Sequence, residues 1–239
     1  MIQTIITAGG KGTRLADISK DMPKPMADIC GKPALWYQLM NLKKNGITKV
    51  LITVGFLGDK IKEYFGNGAK LGMNIDYYTE VSPLGTAGAL YKLKDNLDDK
   101  FLYVNADIIY NFDFGKFIAF HNTKNALITL AVQKTMHPAD STLISFDGNN
   151  CVTGWYAKET LRPASLAYSN AAIHLLEKRA LSYCEGKEKV DLDRDLLANT
   201  VNTKAVFAYP TAEYIEDFGT PERYFKVCEF VKNNAGDLI

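Results

Sequence analysis

Hydrophobic positions change their spacing along the chain in a regular way. Ile2 to Thr7 form a β-branched run that stops at Ala8-Gly9-Gly10-Lys11-Gly12, the pattern of a buried strand entering a glycine loop. Pro33, then Leu35, Trp36, Leu39, Met40 and Leu42, then Gly46, predict a helix with proline in its first turn and glycine just past its end. Lys49 to Val54 reads as a second strand, Asp59 to Phe65 as a short helix and Ile75 to Tyr78 as a third strand. Thr86 opens a helix carrying Ala89, Leu90, Leu93 and Leu97, and Phe101 to Asn105 is a fourth strand. A helix with Phe114, Phe117 and Ile118 follows, then a fifth strand at Ala126 to Val132. Strands alternating with helices predict a mostly parallel sheet with helices on both faces.

The rhythm changes beyond Thr135. Ser141 to Phe146 and Cys151 to Tyr156 flank Asp147-Gly148-Asn149-Asn150, a hairpin signal. A strand at Ser169 to Leu175, a helix capped by Asp191, a strand at Ala205 to Tyr209 and a helix opened by Thr220-Pro221 complete the pattern. Proline and glycine are evenly spread and no repeat is visible, so residues 1–239 read as a single domain. Its first half is α/β, and its second half adds antiparallel strands.

Composition narrows the partners. The 28 Lys+Arg balance 27 Asp+Glu, whereas binding a nucleic-acid backbone needs a clear basic excess, so no nucleic acid is expected. A small phosphorylated ligand needs only a few local cations and stays open. The 4 cysteines, at 30, 151, 184 and 228, include no C-x-x-C pair and are expected to be buried, inert thiols in a reducing compartment. No signal-peptide pattern and no apolar run of ~18 residues occurs, so a cytoplasmic protein without a membrane partner is expected.

Candidate chemistry concentrates in Ala8-Gly9-Gly10-Lys11-Gly12-Thr13-Arg14-Leu15, followed by Pro23-Lys24-Pro25-Met26. Glycines after a strand let backbone N–H groups approach an anion without Cβ obstruction. Arg14 offers a bidentate phosphate donor, and Lys24 a compact charge whose backbone is fixed by a proline on either side. The plain alternative is a glycine turn with two solvated cations. The loop is neither a Walker A motif nor G-x-G-x-x-G, because Leu15 stands where the third glycine would be.

The run Gly-Gly-x-Gly-Thr-Arg-Leu with Pro-Lys-Pro-Met resembles the signature of the sugar-1-phosphate nucleotidyltransferases. The resemblance covers nearly the whole chain. The segment His137-Pro138-Ala139-Asp140-Ser141 is similar to one in the branch of D-glycero-α-D-manno-heptose 1-phosphate guanylyltransferases; whether His137 orders its loop or meets the sugar stays open. The fold implied is α/β and Rossmann-like, of the nucleotide-diphospho-sugar transferase type, and a homodimer is implied as the assembly. The resemblance assigns Ala8, Gly9, Gly10, Gly12 and Thr13 to the nucleotide, together with Glu80, Pro83, Gly85 and Thr86 of the segment Glu80 to Gly88. Gly85 would allow backbone approach to a flat base, and Thr86 would begin a helix facing an anion. Glu80, as an acceptor only, would match the adjacent donors of guanine and repel cytosine.

The same resemblance implies Mg²⁺ held by Asp107, at the end of the fourth strand, and by Asp217; alternation along a strand points Glu216 the other way. It implies sugar contacts from Asn105, Lys158 and Asn170. The flanks of Lys158 depart from the usual pattern, so a surface lysine is the alternative there, and Ala172 stands where glycine is usual and would narrow the pocket. Asp191, Asp193 and Asp195 lack the glycine of a calcium loop and read as helix capping. The expected reaction joins an NTP, GTP favoured, to a sugar 1-phosphate, heptose favoured, with Arg14 and Lys24 catalytic. Alternatives are a hexose 1-phosphate or another NTP, or a non-catalytic subunit that binds a nucleotide-sugar.

Overall fold

The structure, a computed structural model, describes residues 2–10, 21–135, 137–157, 160–185, 187 and 189–238. The strands are β1 (Gln3–Ala8), β2 (Asp28–Ile29), β3 (Lys32–Pro33), β4 (Lys49–Val54), β5 (Asn74–Thr79), β6 (Lys100–Asn105), β7 (Ile108–Asn111), β8 (Ile128–Lys134), β9 (Leu143–Phe146), β10 (Val152–Tyr156), β11 (Tyr168–Glu177), β12 (Val206–Pro210) and β13 (Tyr214–Asp217). The α-helices are α1 (Ala34–Lys44), α2 (Gly58–Phe65), α3 (Gly88–Lys92), α4 (Phe114–Lys124), α5 (Ala198–Thr200) and α6 (Pro221–Leu238).

The chain divides into two compact units. The first comprises Met1–Pro83, Tyr103–Phe114 and Glu213–Ile239. In it β1 pairs in parallel with β4, and β4 with β5, in the register Ile5↔Leu51↔Asp76. The strand order is β6-β1-β4-β5, and Ile5, Ile6, Ile52 and Val54 are buried on the sheet. Helix α1 starts after Pro33 (φ −58°) and ends where Gly46, at φ +74°, donates to Lys43 O while Ile47 donates to Leu42 O. Glycine adopts that left-handed conformation without Cβ cost, which is why the helix stops there. A second core joins Ile29, Ala34 and Tyr37 to Ile109, Phe218, Val227 and Val231 of α6 and its neighbours.

The second unit comprises Leu84–Leu102 and Gly115–Ala212. Its strands β9 and β10 form the expected hairpin, β11 pairs antiparallel with β9 and β8, and β8 pairs in parallel with β12. Strand β11 is interrupted by a bulge between Asn170 and His174, within which Ala172 sits at φ +61°. Asp191 caps the next helical turn, its carboxylate accepting the Arg194 N–H at 3.0 Å. Parallel strands early in the chain and antiparallel ones later match the expected α/β fold. Among the described residues no helix is long and apolar enough to cross a membrane.

Two expectations are corrected, and one strand was not anticipated. The helix expected from Thr86 to Leu97 is only Gly88–Lys92 followed by a turn at Lys94–Asn96. Gly85 lies at φ +83°, and the Ala87 N–H is committed to Val190 O at 2.9 Å, so Thr86 is held outside the helix. Of the cysteines only Cys184 is buried; Cys30 is exposed at the tip of the β2–β3 hairpin. Strand β7 was missed because its four residues follow Asp107 directly, with no polar alternation to mark a new element.

Candidate functional site

The first unit brings three of the expected charged groups together. Pro23, at φ −67°, leads into a tight turn in which Met26 donates to Pro23 O at 2.7 Å and Ala27 to Lys24 O at 3.0 Å. Lys24 leaves this turn with its Nζ 2.9 Å from Asp107 Oδ2 and 5.0 Å from the centre of the Phe218 ring. The Lys24 side chain is 12% exposed and that of Asp107 45%, so the pair opens to solvent on the Asp107 side. Asp107 occupies the turn from β6 to β7. That turn is fixed by Ala106 N–H donating to Thr7 O at 3.1 Å.

Asp217 ends β13, opposite Ile108 in the antiparallel pair with β7. The Phe218 N–H donates to Asp107 O at 3.2 Å, tying the two carboxylate-bearing segments by backbone. A methyl placed on Gly219 would meet Asp217 Oδ1 at 2.9 Å and Lys24 Nζ at 3.4 Å, so glycine leaves room for both groups. Glu216 points away, as alternation requires, and pairs with Lys226 at 2.7 Å.

Asp217 is itself held at both oxygens. Oδ1 accepts the Gly219 N–H at 2.9 Å and Oδ2 accepts Arg223 Nη1 at 2.7 Å. Arg223 was not anticipated, although a signal existed. It falls in the first turn of α6, where the helix dipole disfavours a cation, and pairing with Asp217 accounts for it. Among the described residues no group of three or more His, Cys, Asp or Glu side chains forms a metal cage.

The glycine loop leaves β1 through Ala8, Gly9 and Gly10. Glu80, just after β5, stands against it: a methyl on Gly9 would lie 3.3 Å from Glu80 Oε1. The Glu80 N–H is anchored on Val54 O at 2.8 Å. Gly55 approaches equally closely, its Cβ position 3.0 Å from Gly9 O, while no atom of the described residues lies within 4 Å of the Cβ position of Gly10. Pro83 is exposed beyond Glu80, and the Asn105 side chain is half-buried at the end of β6. Gly12, Thr13, Arg14 and Lys158 lie outside the described residues.

In the second unit Gly85, Thr86 and Asn170 each meet groups of the chain itself. A Cβ on Gly85 would come within 2.4 Å of Val190 O, so this glycine admits the chain's own backbone. Thr86 Oγ1 accepts the Leu192 N–H at 2.7 Å, and the helix that follows it, α3, begins at Gly88. Asn170 Oδ1 accepts the Ala172 N–H at 3.1 Å and lies 3.0 Å from His174 Nε2, so its amide N–H₂ is what remains for a ligand. The His137–Ser141 turn is pinned by Arg162 Nη1, which donates to Pro138 O at 2.5 Å and Ser141 O at 2.9 Å.

Residues 3–234 match the model of the nucleotidyl transferase family. The chain is 33% identical over 234 residues, 98% of its length, to a D-glycero-alpha-D-manno-heptose 1-phosphate guanylyltransferase of Campylobacter jejuni, all of which it spans. It is 28% identical over its full length to a mannose-1-phosphate guanylyltransferase of Mycobacterium tuberculosis and spans 65% of that protein. The crystal structure of HddC from Yersinia pseudotuberculosis superposes with a TM-score of 0.80 at 27% identity, covering 96% of this chain and 99% of that one. The motif order, the strand arrangement and the family match agree: this chain belongs to the nucleotidyl transferase family.

Proposed function

We propose that this protein joins an NTP, with GTP preferred, to a sugar 1-phosphate, with a heptose 1-phosphate preferred, releasing pyrophosphate and an NDP-sugar. The observation that carries this reading is the Lys24–Asp107 pair at 2.9 Å, tied by backbone to the Asp217 segment. Two polyanions must meet in this reaction, so the main work of the site is to neutralise and align them. One Lys24 N–H is directed at Asp107, leaving two donors for oxygens of the α-phosphate. Arg14 is assigned to the β- and γ-phosphates and Lys158 to the sugar phosphate. The sugar phosphate oxygen attacks the α-phosphorus, the bond to the β-phosphate breaks, and pyrophosphate leaves with the electron pair. A phosphate monoester is already anionic at neutral pH, so no general base is required.

The donor set fits Mg²⁺. Asp107 Oδ1 accepts no hydrogen bond among the described residues, and Asp217 retains a lone pair on each oxygen beyond its bonds to Gly219 and Arg223. Two hard carboxylates suit an ion that takes most of its ligands from phosphate and water. Bound there, Mg²⁺ would neutralise charge at the reacting phosphates.

Glu80 beside Gly9 supports guanine, because a carboxylate accepts both N1–H and N2–H₂. A hexose 1-phosphate is the second reading for the sugar, favoured by the match of this chain to 65% of a mannose-1-phosphate guanylyltransferase. Pyrophosphate release is to be measured with each of the four NTPs against heptose, mannose and glucose 1-phosphates. Turnover with GTP and a heptose or mannose 1-phosphate is expected, and absence of turnover with every pair refutes the reading. Glu80→Gln is expected to cut the preference for GTP by about 10–100-fold, the effect of one mispaired buried donor or acceptor. An unchanged preference removes Glu80 from base selection.

A further inference from the structure

Helix α1 carries a row of amides along the face it turns to β7. Gln38 Nε2 donates to Asn105 O at 3.0 Å and to Ile108 O at 2.6 Å. One turn on, Asn41 Nδ2 donates to Asn111 Oδ1 at 3.3 Å while its Oδ1 accepts the Phe112 N–H at 3.4 Å. Asn45, just past the helix, donates to Phe112 O at 3.1 Å and accepts the Phe114 N–H at 3.0 Å. Positions 38, 41 and 45 share one helical face. Together they bond backbone groups of Asn105, Ile108, Phe112 and Phe114.

Gln38 differs from the other two. It is fully buried, and its Oε1 has no hydrogen-bond partner among the described residues. Burying an amide with an unmet acceptor is unfavourable, and a leucine or methionine would fill the same space without that penalty. The N–H₂ group is therefore the useful part. Its two acceptors, Asn105 O and Ile108 O, bracket Ala106-Asp107, so one side chain grips the turn on both sides of the carboxylate. The grip comes from a rigid element, with Tyr110 Oη donating back to Gln38 O at 3.3 Å.

We propose that Gln38 is the positioning residue for Asp107: by bridging Asn105 O and Ile108 O it fixes the turn that presents the Asp107 carboxylate to Lys24 and to the divalent cation. This rests on the role assigned to Asp107 in the reaction above. Groups that orient a metal-binding carboxylate change metal affinity by about 10–100-fold when removed. Asn45, on the same row but remote from Asp107, serves as the comparator.

The test uses the full chain with Gln38→Met, of similar shape but without donors, and Asn45→Ala. Mn²⁺ affinity, read from the electron paramagnetic resonance of the free ion, and kcat and KM for the nucleotide are measured beside the melting temperature. Gln38→Met is expected to weaken Mn²⁺ binding at least 10-fold and to lower kcat with little change in KM, while Asn45→Ala lowers the melting temperature and leaves Mn²⁺ affinity within twofold. Should Gln38→Met fail to fold, Gln38→Glu, which keeps the shape and at most one donor, is expected to show the same loss. Wild-type Mn²⁺ affinity retained in a folded Gln38 variant overturns the proposal, as does an equal loss in Asn45→Ala or a wild-type protein that binds no Mn²⁺. If wild type binds Mn²⁺ yet turns over no substrate pair, the reaction is misassigned, and the affinity measurements still decide the role of Gln38.

Discussion

Gly85 can serve either a ligand or the fold, and Gly85→Ala separates the two. At φ +83° an alanine is strained by about 1–2 kcal/mol. Its Cβ would lie 2.4 Å from Val190 O, 2.9 Å from Val190 C and 3.3 Å from Val190 N. All three are backbone atoms, so no rotamer change relieves the overlap. Relief requires moving Val190 away and loosening two bonds, Ala87 N–H to Val190 O and Val190 N–H to Leu84 O, both 2.9 Å. Each is worth about 1 kcal/mol net. Alanine restricts the unfolded chain and returns about 0.5–1 kcal/mol. The net loss is therefore roughly 2–3 kcal/mol, or a fall in melting temperature of about 5–10 °C for a chain of this size. Urea denaturation should show a lower midpoint at unchanged slope, with GTP KM altered less than stability. Gly10→Ala is the control, because no atom of the described residues lies within 4 Å of its Cβ position and it should leave the midpoint unchanged. An unaltered midpoint in Gly85→Ala together with a large rise in GTP KM would refute the packing argument and return Gly85 to the nucleotide.

Ala172, at φ +61° in the β11 bulge, carries the same left-handed strain, so Ala172→Gly should stabilise by up to about 1 kcal/mol; a lower melting temperature in that variant contradicts the strain argument. His121 is buried, its Nδ1 2.8 Å from Thr129 Oγ1 and its Nε2 3.4 Å from Glu177 Oε1. Burial lowers its pKa below the usual 6.5; the Glu177 hydrogen bond opposes this and the charge of Lys100 adds to it. The neutral ring is thus favoured in the folded state. Its stabilising effect is complete above about pH 6.5 and is lost as pH falls through that value towards the folded pKa. Melting temperature should drop more steeply between pH 7.5 and 5.5 in wild type than in His121→Gln, and parallel curves would exclude His121 as the cause.

Much of this protein was legible in its local sequence. The β-branched run before Gly9-Gly10, the proline and glycine that bracket α1, and the Asp191 cap each act within a few residues, so they can be read one segment at a time. Lys24 was nominated from the prolines that flank it, and Asp107 and Asp217 from the family resemblance, but their juxtaposition was not visible there. The ion pairs Lys24–Asp107 and Arg223–Asp217 are long-range or depend on how β13 is registered against β7, and a pairing register follows from tertiary packing. The same holds for Gly85 and Thr86. The sequence reads Gly85 as a place of close backbone approach to a base, and the group that crowds it in the fold, Val190 O, comes from more than 100 residues away. Gln38 was hidden for a related reason. On the buried face of an apolar helix an amide carries no local signal, and only the folded chain brings it two carbonyl partners on either side of Asp107. Local rules determined which segments form helices and strands and which residue types carry charge; tertiary structure decided which of those charges meet, because electrostatic and steric contacts depend on distance in space rather than along the chain.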